Sequence, residues 1–214
     1  MRKILFLSIL IILLSFNFAC SKTKRQSASA PLPDVSIAVA QFNQPQSIDE
    51  LLAGIMISEQ PPVSDKLLFS LDDEFRKVLA EMSERSFINV AASRSCQLKV
   101  EQISRADRTA LDYWTAVGAC LGADMILVPQ LTYWHDLEGS AMGAESPSSV
   151  TMDFYLIDVK HGQLISRYHF EETQQALTSN LLDVDKFISR HGQWVTAHEL
   201  AAEGMRQAVQ ELGL

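Results

Sequence analysis

The first twenty residues do most to limit what this chain can become. Met1-Arg2-Lys3 is a short basic start, Ile4 to Phe16 is an apolar run broken only by Ser8 and Ser15, and small Ala19 precedes Cys20. As a helix, the 13 positions of the run reach about 20 Å, well short of a bilayer core of about 30 Å. The run therefore reads as the apolar stretch of a cleaved signal sequence and not as a membrane span. An ordinary secretory signal cut elsewhere, for instance within Ser27-Ala28-Ser29-Ala30, is the competing reading.

The segment resembles a bacterial lipobox, in which a small residue precedes the cysteine that is acylated. Asn17 and Phe18 depart from the usual Leu and small residue further upstream. The resemblance implies a signal peptide over residues 1–19, lipid attachment at Cys20, and a membrane-anchored body. Ser21, standing where Asp would signal retention, implies the periplasmic face of the outer membrane. One acyl chain holds a protein marginally and two hold it firmly.

Removing the signal leaves 195 residues with 16 basic and 26 acidic side chains, a net charge of −10. That length suits one domain with a sizeable core. The charge has the wrong sign for a nucleic-acid partner, whose phosphates are met by Lys and Arg surfaces. It also gains nothing from anionic headgroups, so attachment to the membrane has to be through lipid. Ser21 to Pro33 is polar and Pro-bearing without apolar period and reads as a tether, so the expected division is 20–34 tether and 35–214 a single periplasmic domain.

With Cys20 acylated, Cys96 and Cys120 remain as an even pair in an oxidising compartment. Either they form a disulfide or they are two buried thiols; their spacing does not choose.

Hydrophobic period places the elements. Val35 to Phe42 alternates as a strand, and Asn43 to Pro62, with prolines at 45, 61 and 62, reads as a long loop. From Ser64, Leu68, Leu71, Phe75, Val78, Leu79 and Met82 repeat at helical spacing. Phe87 to Ala91 reads as a short strand, and Ser104 to Leu121 as a helix ending at Gly122, where a left-handed cap belongs. Met125 to Tyr133, Val150 to Val159 and Gln163 to Phe170 read as strands, with a turn at Lys160-His161-Gly162 and a flexible stretch over 139–147. A helix is expected over roughly 180–189. Thr196-Ala-His-Glu199 is a capping box opening a final helix. The fold class is therefore α+β, in the order β-α-β-α-β-β-β-α, with the helices on one side of a mixed sheet and a C-terminal three-strand meander.

No catalytic constellation emerges. His198-Glu199 opens like a zinc HExxH motif, but Ala202 stands where the second His is needed. His135, His161, His169, His191 and His198 are scattered, and no nucleophile elbow, phosphate loop or CxxC pair is present. Asp153 and Asp158, five apart on a strand, face opposite sides. No enzyme activity, cofactor or metal is expected. Trp114 and Trp194 read as core, whereas Tyr133 and Trp134, among polar neighbours at a strand end, suggest an exposed partner contact.

The lipobox, the strand Val35-Ser-Ile-Ala-Val-Ala-Gln-Phe42 and the phrase Leu121-Gly-Ala-Asp-Met-Ile-Leu-Val128 resemble the superfamily of the curli secretion lipoprotein CsgG. Tyr155-Leu-Ile-Asp-Val159 and His161-Gly-Gln-Leu-Ile165 add to the resemblance. That superfamily includes the penicillin-binding-protein activator LpoB and the Pel polysaccharide lipoprotein PelC, and shares the TolB N-terminal type of fold. It implies an outer-membrane lipoprotein that works by binding partners or forming rings. The curli channel's membrane hairpins need two alternating stretches of about ten residues each, and the Pro-broken loop before residue 62 does not supply them. Three functions compete: an accessory lipoprotein of envelope assembly or polymer export, an activator of a penicillin-binding protein, and a hydrolase with an unrecognised site.

Overall fold

The computed structural model describes residues 32–54, 60–102, 108–140, 143–174 and 194–214. Cys20, the signal segment and the helix expected over 180–189 lie outside these residues. Strand β1 (Ile37–Val39) is followed by a single 3-10 turn (Ile48–Glu50) and helix α1 (Asp65–Met82). Next come β2 (Phe87–Ile88), α2 (Val90–Gln102) and α3 (Ala110–Leu121). The chain then runs through β3 (Met125–His135), a hairpin of β4 (Glu138–Ser140) and β5 (Gly143–Ser146), β6 (Ser149–Asp158), β7 (Gln163–Thr173) and α4 (Ala197–Leu212).

The five-stranded sheet has the order β2-β1-β3-β6-β7, parallel from β2 to β3 and antiparallel from β3 to β7. The α+β class and the meander of β3, β6 and β7 are thus present, with the β4–β5 hairpin inserted where the sequence suggested a flexible stretch. The helices, however, do not share one side. Ile37, Val39, Leu127, Phe154 and Leu156 face α1 and α4, while Ala38, Ala40, Ile126, Val128, Tyr155 and Ile157 face α2 and α3. The reason is visible in β3 and β6, whose successive residues are nearly all buried. A strand apolar on both faces needs cover on both.

On the first face, Leu71, Phe75, Val78 and Leu79 of α1 are buried, each worth roughly 1.5–3 kcal/mol relative to exposure. Gly204 lets α4 lie close to the sheet, since a Cβ there would stand 2.7 Å from the Phe170 ring. On the second face, Gly118 does the same for α3 against Val159.

Helix ends follow their local chemistry. Thr196 and Glu199 form a capping box at α4, and Thr109 and Asp112 form another at α3. Gly122 caps α3 at φ 65° and Gly162 turns the β6–β7 hairpin at φ 60°, a region that glycine enters without a Cβ clash. The helix expected from Ser104 is described only from Ala110. The strand expected over 87–91 ends at Ile88, because the Asn89 side chain accepts from the Ala92 N–H at 3.0 Å and opens α2.

Candidate functional site

The two remaining cysteines lie on neighbouring helices. Cys96 of α2 and Cys120 of α3 are disulfide-bonded, with Cα atoms 5.8 Å apart. The bond secures a helix with little else to hold it. Only Ser93, Cys96 and Val100 of α2 are buried, and the Ser93 hydroxyl donates to the Val39 carbonyl at 2.6 Å.

The aromatic pair at the end of β3 is arranged differently from the sequence expectation. Tyr133 is half-buried, and Trp134, expected to be exposed, is only 8% exposed. The register between β3 and β6 shifts between Leu131 and Tyr133. Such a bulge swaps which side chains face which side, so Trp134 joins Leu131 in the core beneath α1 and α4. Its Nε1 has no hydrogen-bond partner among the described residues. Its ring meets His198 edge to face. Trp134 and His198 border an open groove of about 470 Å³ with Val63, Lys66, Leu67 and Asp136.

Ser70 also lines this groove, with its Oγ 3.1 Å from His198 Nε2. A hydrolytic pair would require the hydroxyl proton to point at the imidazole. Here the Ser70 hydroxyl also lies 2.7 Å from the Leu67 carbonyl, to which it can donate. The Leu67 carbonyl therefore competes with His198 for the Ser70 hydroxyl proton. Glu199 accepts from the Thr196 N–H at 2.7 Å and serves the helix cap.

The other titratable groups are engaged in the same way. Asp153, 2% exposed, accepts from Arg167 Nε at 2.8 Å and lies 2.9 Å from His169 Nδ1. Asp158 bonds His161 across the β6–β7 turn, and these bonds hold its carboxyl below the usual range. Asp124 is likewise held low by the Ser36 hydroxyl and N–H. Burial pushes the Tyr155 and Tyr168 phenols up to about 12. Among the described residues no cluster of three or more His, Cys, Asp or Glu is placed to hold a metal, and no helix is long and apolar enough to cross a membrane.

Buried Gln130, which the sequence reading passed over, pins the loop after β1. Its amide oxygen accepts from the Leu52 N–H at 3.1 Å, while its nitrogen donates to the Glu50 carbonyl at 2.9 Å and to Asn43 at 3.0 Å. A polar residue inside an otherwise apolar strand was the signal available.

Among solved structures, the chain is similar to a PelC dodecamer from Paraburkholderia phytofirmans, at 14% identity and a TM-score of 0.45, over 83% of this chain and 86% of that one. It is similar to lipoprotein GNA1162 from Neisseria meningitidis at 14% identity and a TM-score of 0.38, over 73% and 93% of the two chains. A third is the LpoB C-terminal domain from Salmonella enterica, at 10% identity and a TM-score of 0.37, over 65% and 83%. No family model matches the chain, and no curated protein matches it.

Proposed function

We propose that the chain is a non-catalytic lipoprotein, anchored through Cys20 to the periplasmic face of the outer membrane. It acts there by contact in envelope assembly or polymer export, with protein partners or with further copies of itself. The observation that carries this reading is the basic start, short apolar run and Ala19-Cys20 junction at the head of the sequence.

The geometry of the leash supports it. The Arg85 guanidinium donates to the Leu32 carbonyl and, at 2.9 Å, to the Pro33 carbonyl. The stretch from Cys20 to Pro31 can then span at most about 40 Å, at roughly 3.4 Å per residue. A domain so tethered works beside its own membrane, which disfavours activation of a penicillin-binding protein embedded in the opposite one. β3 starts at the leash end of the sheet and its 11 residues carry the chain about 36 Å away. Tyr133 and the groove beside Trp134 therefore occupy the far pole, where we place the partner contact.

Two measurements test the proposal together. Cys20→Ser should abolish palmitate labelling and move the protein to the soluble fraction. Photo-crosslinkers at Asp136 should capture a second copy or an envelope protein that those at Asp34 do not. A Cys20→Ser protein that still labels and pellets overturns the anchor, and equal capture at both poles overturns the contact surface.

A further inference from the structure

The β6–β7 hairpin turns at the pole where the leash enters. The Ser36 carbonyl, shortly after Leu32 and Pro33, accepts from the Asp124 and Met125 N–H groups at 3.1 and 3.0 Å. The Asp124 carbonyl in turn accepts from the Val159 N–H at 3.0 Å, just before the turn at Lys160. In the sheet order β7 stands beyond β3 and β6 from β1, about 14 Å away at roughly 4.8 Å per strand. The start of β7 and the entry of the leash therefore share one end of the molecule.

At this end β7 departs from strict alternation. Leu156 pairs with Ser166 and Ile157 with Leu164, so Ile165 is an extra residue in the ladder. Ser166 and Tyr168 stand opposite Leu156 and Phe154, on the face covered by α1 and α4. Leu164 stands opposite Ile157, on the other face, and Ile165, next to Ser166, alternates onto that face too. The bulge thus sets two large apolar side chains side by side at a corner of the sheet. They are 39% and 46% exposed. The other exposed large apolar residues among those described, Ile48, Phe69 and Leu98, are each isolated in sequence. A lone exposed hydrophobic is ordinary, whereas adjoining apolar surface marks a contact.

We propose that the β6–β7 hairpin docks on the bilayer, with Leu164 and Ile165 entering the boundary between headgroups and acyl chains. Docking there turns the groove beside Trp134 away from the lipid. The inference rests on the reading of Cys20 as the anchor, because the leash is what brings this end to a membrane. The occupant is lipid because the chain outside the described residues ends here: Ser21 through Pro31 leads into Leu32 and Pro33, which Arg85 holds. The contact is apolar in kind, since an acidic chain gains nothing from anionic headgroups, while apolar side chains leave water at an interface.

The test puts a fluorophore on Gln163→Cys of the full-length chain in phosphatidylcholine vesicles, with Asp136→Cys at the far pole as the reference. Both positions are exposed. Lipid-borne nitroxides should quench the label at 163 and spare the label at 136, and aqueous iodide should do the reverse. Leu164→Ser with Ile165→Ser changes only exposed side chains. The double variant should keep its circular dichroism and lower the docked-to-free ratio by about tenfold. Equal quenching at both positions, or an unchanged ratio in the double variant, overturns the proposal. So does shielding at 163 that arises without vesicles and grows with protein concentration, which would give the surface to a second copy. The mass of the N-terminal peptide reports the anchor separately. If it carries no acyl groups, Cys20→Ser held by an N-terminal histidine tag on nickel-chelating lipid puts the same question to the hairpin.

Discussion

The indole of Trp134 and the imidazole of His198 meet edge to face, with ring centroids 5.0 Å apart. The contact ties the end of β3 to the first turn of α4. Because Trp134 is core, Trp134→Ala should lower unfolding free energy by about 3–5 kcal/mol. Trp134→Phe retains an aromatic ring but loses the fused pyrrole, whose N–H has no partner among the described residues, so it should cost less, about 1–2 kcal/mol. Urea unfolding of both variants checks the pair. A wild-type midpoint for Trp134→Ala would return the residue to the surface.

The Cys96–Cys120 bond closes a loop with a sequence separation of 24, for which chain entropy predicts about 3 kcal/mol of stabilisation. Reduction should lower stability by that order. It should also speed amide exchange in α2 more than in α1, because α2 buries only three side chains. Parallel denaturation with and without dithiothreitol, followed by exchange, measures both effects.

Asp72 of α1 accepts from the Phe42 N–H at 2.6 Å. Burial nevertheless pushes its carboxyl up to about 6 from 3.8, with Asp73 adding to the rise and the bonds to Phe42 and Gln41 opposing it. The folded state therefore holds the proton more tightly than the unfolded chain. The resulting stabilisation is complete below 3.8 and lost as pH rises through about 6. Asp72→Asn should gain on wild type as pH climbs through this window and show no further relative change above it. Stability curves for the two proteins from pH 3.5 to 8, a range spanning both values, test the sign.

Gly204 faces the sheet so closely that a Cβ would stand 2.7 Å from the Phe170 ring and 3.0 Å from Met152 Cε. Gly204→Ala should therefore lose about 1–3 kcal/mol by overpacking, although alanine favours helix by about 1 kcal/mol over glycine. A higher melting temperature would show that Phe170 swings aside without cost.

Local chemistry was legible residue by residue. The capping box at Thr196, the left-handed cap at Gly122 and the turn at Gly162 each need only neighbours within four positions. The second box, Thr109-Ala-Leu-Asp112, was equally readable, but the helix was read from Ser104 and the box inside it was passed over. Helix α2 was missed because its buried stripe is Ser93, Cys96 and Val100, while Leu98 is 54% exposed. Such a stripe carries almost no hydrophobic signal.

By itself, then, the sequence determined the parts: the short apolar run ahead of Cys20, the α1 and α4 stripes, the alternating strands and the caps. These depend on backbone geometry and period, which act over a few residues. Tertiary structure alone decided how the parts combine. It set α2 and α3 on the second face of the sheet, turned Trp134 inward through the shift after Leu131, and joined Cys96 to Cys120. Each of those outcomes depends on which distant surfaces exclude water together, and no local period records that choice.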